Sequence, residues 1–257
     1  MKKRALFVIF GFLLNSEAFA IVSLESLHFG DNAPGFKASI TASANGLARV
    51  NGGSSASDRI RGEGTGTLQW NLEDSIYYLS TSGGYGKSGG KIDQNEKFLH
   101  ARRIANITPK TAWEVFSQME QDEFARLKLR AIGGGGLRFL LGERKPQQAL
   151  FVGTGLFYSH ELIDDDEDTI EKAIKGNIYL LFKRKLTKNA AFVNTIYVQP
   201  NVTSSNDFRI LERATLKVSI TNSIAIKLDV EVKHDNNPPA DVNKTDIKYT
   251  TGFEYSF

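Results

Sequence analysis

The chain offers little conventional catalytic chemistry: it has four histidines, His28, His100, His160 and His234, and no cysteine. Ser159-His160-Glu161 is the cluster nearest to a hydrolase triad. In an extended strand, however, neighbouring side chains point to opposite faces, so Ser159 and His160 cannot meet. His100 stands between Leu99 and Ala101 with arginine rather than serine two residues on, and His234-Asp235-Asn236-Asn237 has no serine beside it. Gly83-Gly84-Tyr85-Gly86-Lys87-Ser88 ends like a phosphate loop, but Thr81 occupies the place of the first glycine and no helical pattern follows. Asp164-Asp165-Asp166-Glu167-Asp168 is a candidate divalent-cation loop, since carboxylates suit hard cations. It lacks the Asp-x-Asp-x-Asp-Gly spacing of a defined site, so the run reads as a solvated acidic loop before it reads as a cation site. No catalytic residue, metal site or cofactor is assigned, and the chain is read as a non-enzyme.

The elements that would carry these residues are strands. Twelve strand-like segments follow Phe36, at roughly 36–49, 58–71, 75–87, 96–107, 110–121, 125–142, 148–161, 172–187, 190–199, 207–220, 223–234 and 245–257. Short connections such as 71–75, 108–110, 187–190 and 221–223 alternate with longer polar ones at 50–57, 86–96, 162–171, 200–206 and 235–244. An even strand number with short turns opposite long loops is the pattern of an outer-membrane barrel. Ile224, Ile226, Leu228, Val230 and Val232 face one way and Lys227, Asp229, Glu231 and Lys233 the other, a register that a one-residue slip would invert. Glu212, between Ile210 and Ala214, and the Arg102-Arg103 pair break this rule and call for a bulge or a strand end. The last strand, 247–257, alternates apolar and polar residues and finishes on Phe257, as barrel-closing strands do.

On this strand map the outward aromatics Phe36, Trp70, Tyr77, Trp113, Phe139, Phe192, Tyr255 and Phe257 gather near the short turns, the position of an interfacial girdle. The inward phase collects Lys37, Arg61, Lys128, Arg130, Arg138, Lys175, Lys183, Arg209, Arg213, Lys217, Lys227 and Lys248 against Glu63, Glu114, Glu120, Asp229, Glu231 and Glu254. A water-filled lumen with surplus base would favour anions. A closed lumen with its charges paired across strands fits the same residues, because twelve strands leave limited width. Gly134 and Gly136 read as small lumen residues that make room for Arg130 and Arg138.

Residues 1–20 have the form of a secretory signal peptide: Lys2, Lys3 and Arg4, an apolar run from Ala5 to Leu14, then Ala18-Phe19-Ala20. That run is too short to span a bilayer as a helix, and no later stretch is longer. Cleavage near Ala20 would lower the formal charge from +3 to about +1, which leaves no nucleic-acid footprint. A mean hydropathy of −0.27 separates nothing, because a barrel that shows alternate residues to lipid also averages out as polar.

Three stretches carry a resemblance: Ala125 to Arg138, which contains Gly133-Gly134-Gly135-Gly136; Gly153-Thr154-Gly155; and His234 to Pro239 continuing through Asp246 to Tyr255-Ser256-Phe257. On these the chain resembles the salt-induced outer-membrane proteins, domain of unknown function 481, over nearly the whole mature length. It departs from that family where Asn45 to Ser55 replaces a Ser-Gly-Asn-Thr-like hairpin. The resemblance implies location, fold and a link to salt or envelope stress, and no catalytic residues.

The expectation is an all-β protein: signal peptide 1–20, N-terminal periplasmic lead or partial plug 21–35, and one transmembrane antiparallel barrel 36–257 in a Gram-negative outer membrane. Its expected partners are outer-membrane lipids and lipopolysaccharide, with the barrel-assembly machinery engaging the strand that ends in Phe257. A narrow diffusion channel for small anionic solutes is the first functional expectation. The alternative is a non-conducting structural or surface-binding barrel acting through its extracellular loops.

Overall fold

The computed structural model describes residues 34–47, 59–143, 145, 147–204, 206–239 and 242–257, and within them twelve antiparallel strands close into one barrel. They are β1 (Gly35–Leu47), β2 (Arg59–Asn71), β3 (Ser75–Ser88), β4 (Lys91–Thr108), β5 (Thr111–Asp122) and β6 (Leu127–Leu140). The second half comprises β7 (Gln148–Ile163), β8 (Ile170–Lys185), β9 (Ala190–Pro200), β10 (Phe208–Ser219), β11 (Ile224–Asp235) and β12 (Thr245–Ser256). Each strand pairs with the next. The ring closes where Ile40 of β1 lies opposite Tyr255 and Ala42 opposite Phe253 of β12. Closure leaves no free sheet edge, which a sheet in lipid requires because hydrocarbon cannot satisfy backbone polar groups. The signal segment 1–20, all but the last two residues of the lead 21–35, and the first loop lie outside the described residues.

One expected long connection is absent. β3 and β4 run on to a two-residue turn at Gly89-Gly90, with φ of 58° and 78°. Two successive positive φ values match the twist of a tight hairpin, and glycine adopts them without a Cβ clash. The Gly-Lys-Ser stretch thought to open a loop therefore lies within β3.

The two phase exceptions stay in phase. Pairing of β10 with both neighbours is continuous through Glu212, and that of β4 is continuous through Arg103, so no bulge turns either side chain inward. The barrel satisfies them from outside. Asn194 Nδ2 donates to Glu212 Oε1 at 2.8 Å, and the Arg103 guanidinium lies 4.8 Å from the Trp113 ring and 5.3 Å from the Tyr77 ring.

The tetraglycine serves a different purpose from the one its phase implied. A Cβ on Gly134 would stand 2.7 Å from Cα of Phe157, and one on Gly135 would stand 2.8 Å from the Glu114 carbonyl oxygen. These glycines let β6 approach the backbones of β5 and β7, rather than clear space for arginines.

Outside, a broad apolar belt is exposed, including Ile40, Leu68, Leu79, Leu99, Val115, Met119, Leu156, Ile178, Leu180, Leu228 and Phe253. A belt of this extent on every side of a barrel is the surface that lipid covers. Inside, the order is reversed: the apolar residues that are buried form clusters within the lumen.

Candidate functional site in the barrel lumen

Toward the end of the barrel with the longer connections, alternate residues bring charges inward and the narrow bore brings them into contact. Lys248 Nζ lies 2.7 Å from both Glu63 and Glu96, whose carboxylates also accept from Gln94 Nε2 at 2.9 and 2.7 Å. Arg61 pairs with Asp93 at 2.8 Å. Glu161 accepts from Arg130 and Arg209, each at 2.8 Å, while Arg130 also reaches Glu120 at 2.5 Å and Arg209 reaches Asp235 at 2.5 Å. Arg213 and Lys233 share Glu231, and Lys175 pairs with Asp207. Strands β4 and β12 are not neighbours, nor are β7 and β10, so the Glu96–Lys248 and Glu161–Arg209 bonds cross the lumen as chords.

Below this belt the bore is packed. Arg102 and Glu114 pair at 2.8 Å with side chains only 2% and 1% exposed. The Tyr179 hydroxyl donates to the same carboxylate at 3.0 Å, and its ring lies 5.4 Å from the Arg102 guanidinium. Gly153, opposite Tyr179, makes this possible, because a Cβ there would overlap that ring. His100 is fully buried between the Phe98 and Phe116 rings, at 6.1 and 6.3 Å, with Nδ1 3.2 Å from Gln118 Oε1. Phe116 continues into an apolar cluster with Ile132, Leu140, Phe151, Phe157, Tyr179, Leu181, Val193, Tyr197 and Leu211, Phe98 belongs to a second with Tyr78, Ile104 and Ala112, and Arg138 sits 3.9 Å over the Phe151 ring. Ser159 donates to Glu161 at 2.7 Å from within the lumen, while His160 faces the other side, so the triad-like tripeptide does not assemble.

The opposite wall has another character. Lumen-facing positions of β12, β1, β2 and β3 are occupied by Thr250, Gly252, Ser39, Thr41, Ser43, Thr65, Thr67, Ser80 and Ser82. These short side chains form a patch at mid-height: the same four strands also turn Arg61, Glu63 and Lys248 inward toward the long connections and Lys37, Gln69, Tyr78 and Glu254 inward toward the short turns, and within the patch Ser39, Thr67 and Ser80 are buried.

Toward the short turns, Lys217 and Lys227 lie directly opposite each other on β10 and β11 and share Glu254. Asp229 accepts from Thr215 at 2.5 Å and lies 3.8 Å from Lys227. Lys37 and Lys183 are inward at this same end. On the outer surface Trp70 and Tyr77 are register partners with rings 6.1 Å apart, Tyr255 and Phe257 rings are 5.8 Å apart, and Phe36 lies opposite Trp70. Trp113, Phe139 and Phe192 occupy the same ends of their strands.

Lys128 departs from its expected lumen position. A register shift between Leu127 and Leu129 buries Leu127 and leaves Lys128 at the rim, where it pairs with Asp164 at 2.9 Å and with Asp168. The acidic run Asp164 to Asp168 is therefore countered in part by this lysine, with Asp166 and Glu167 exposed. Asp165 accepts from the Thr169 backbone N–H at 2.8 Å, and its hydrogen bonds to Thr169 hold its carboxyl below the usual aspartate range. No three histidine or acidic side chains converge in metal-binding geometry among the described residues.

The inward residues not assigned to the lumen from sequence include Glu96, His100, Arg102, Asp122, Glu161, Tyr179, Tyr197 and Asp235. Most were legible from phase: Glu161 alternates with Ser159 and Phe157, and Arg102 with His100 and Phe98. Their omission made the lumen look more basic than it is.

A closed twelve-stranded barrel with an apolar exterior and a polar, partly packed bore defines a β-barrel of the outer-membrane type. The chain belongs to the family described as protein of unknown function DUF481, whose model matches residues 48–257. In fold it is similar to the COG4313 outer-membrane channel from Pseudomonas putida F1, with a TM-score of 0.57 and 8% identity over 91% of this chain and 100% of that one. It is also similar to the NanC porin, with a TM-score of 0.54 and 7% identity over 85% of this chain and 98% of that one. No curated protein matches the chain.

Proposed function

We propose that the protein is a narrow channel of the Gram-negative outer membrane whose path runs off-centre, along the wall of β12, β1, β2 and β3, and which passes small solutes with a preference for anions. The observation that carries this reading is the division of the lumen. At mid-height the apolar and aromatic cluster of β5 to β10 occupies one side, while Ser39, Thr41, Ser43, Thr65, Thr67, Ser82 and Thr250 stand on the other, between the Glu63–Lys248–Glu96 belt and the inward Lys37, Gln69 and Tyr78. Hydroxyls replace part of a solute's hydration without holding it tightly, as conduction requires. The anion preference rests on the short-turn end, because the arginines at the other end already have carboxylate partners. The link to salt or envelope stress rests on family resemblance and is tested by transcript levels after osmotic upshift.

Single-channel recording of the refolded mature chain under a salt gradient tests the channel. The reading expects small discrete steps with an anion-directed reversal potential, and a severalfold smaller conductance for Thr67→Trp than for Leu156→Trp on the outer face. Electrical silence from protein whose heat-modifiable gel migration shows a folded barrel overturns it. The second reading, a non-conducting structural or surface-binding barrel, would then stand. The chords Glu96–Lys248 and Glu161–Arg209 favour that alternative.

A further inference from the structure

A cavity of about 520 Å³ opens at the short-turn end of the lumen between β8, β10, β12 and β1. Four lysines from separate parts of the chain line it: Lys37 of β1, Lys185 at the end of β8, Lys188 in the following turn and Lys217 of β10. The remaining lining groups include hydroxyls and amides, among them Ser219 and Asn222, and no aspartate or glutamate side chain lines it among the described residues. Phe257, the last residue, brings its own carboxylate to the lining, and Glu254, two residues deeper than Ser256 on β12, is shared by Lys217 and Lys227. Asp229 also faces Lys227, so Lys217 and Lys227 are countered by two carboxylates, and the positive charge added nearer the opening is that of Lys37, Lys185 and Lys188.

The barrel brings these lysines together although they are far apart in sequence, and Lys217 and Lys227 face each other directly across a strand pair. Like charges placed opposite each other on a sheet are unfavourable. A mouth that gathers more of them gains by taking up an anion. The volume is that of a small-molecule site, and ammonium groups with neighbouring hydroxyl and amide donors suit oxygens that carry more than one negative charge.

We infer that this vestibule is a binding site for small multivalent oxyanions, of the class of oligophosphates and polycarboxylates. The site does not depend on conduction: an anion held here would enter the channel if the bore is open, and would be retained at the mouth if it is not.

The test is calorimetric titration of pyrophosphate into the folded, detergent-solubilised mature chain, which detects binding whether or not the barrel conducts. Wild type is expected to show saturable binding that weakens with added salt. Lys185→Gln/Lys188→Gln should lose about tenfold or more in affinity, equivalent to about 1.4 kcal/mol, and Lys185→Arg/Lys188→Arg should retain most of it. Lys110→Gln, in the exposed β4–β5 turn at the same end of the barrel, should bind as wild type does. Heat-modifiable migration checks that each variant is folded. Absence of binding by folded wild type overturns the inference, as does an equal loss in Lys110→Gln or undiminished binding by Lys185→Gln/Lys188→Gln. Binding together with electrical silence would uphold the site and reject the channel.

Discussion

The Tyr179 hydroxyl donates to Glu114 Oε2 at 3.0 Å, and so β8 and β5, separated by two other strands, are tied together through the middle of the barrel. Glu114 is simultaneously the partner of Arg102 on β4. The three side chains form a strut that fixes the shape of the bore.

Removing one member of this strut should cost more than removing the charged pair together. Glu114→Gln leaves the Arg102 charge buried without its counter-ion, and the expected loss is about 3–5 kcal/mol. Arg102→Met/Glu114→Leu removes both charges and should recover much of that loss. Urea unfolding in lipid vesicles distinguishes the two; equal losses would show that the pair is not coupled.

The tetraglycine predicts a sharp difference between adjacent positions. Gly134→Val places a side chain 2.7 Å from the Phe157 Cα and should prevent assembly into a heat-modifiable barrel. Gly133→Ala, where a Cβ would meet nothing within 4 Å, should assemble normally. Equal yields of folded protein would show that close approach of β6 and β7 is not required.

The outward pair of Glu212 and Asn194 predicts opposite signs for its two members. Along its strand and across from it, Glu212 is surrounded by Ile210, Ala214, Ile196 and Val232. Asn194→Leu removes the amide that satisfies the carboxylate and should destabilise the barrel by about 1 kcal/mol. Glu212→Leu removes the acid from a lipid-facing position and should leave stability unchanged or raised. Reversal of that order in vesicle unfolding would place this face against something other than lipid.

Much of the architecture was legible in the amino-acid order. Alternation across Ile224 to Lys233, the short turns and the terminal aromatic strand implied twelve antiparallel strands, because a period of two assigns every side chain to a face before any contact is known. Phase also assigned an inward face to Arg130, Arg209 and Arg213. What phase could not supply was distance across the lumen. Arg209 and Glu161 are 48 residues apart, and Lys248 and Glu96 are 152 apart. Only closure of the ring brings either pair within bonding range.

Local irregularity also escaped the sequence pattern. The register shift that moves Lys128 to the rim and the two-residue turn at Gly89-Gly90 both depend on how neighbouring strands twist and pair. The sequence by itself determined strand number, alternation and the residue types available to each face, since these follow from chain geometry one strand at a time. Tertiary structure alone decided which inward charges neutralise one another, which wall of the bore is packed and where the lysines converge. Those outcomes depend on the curvature and diameter of a closed sheet, which belong to no single strand.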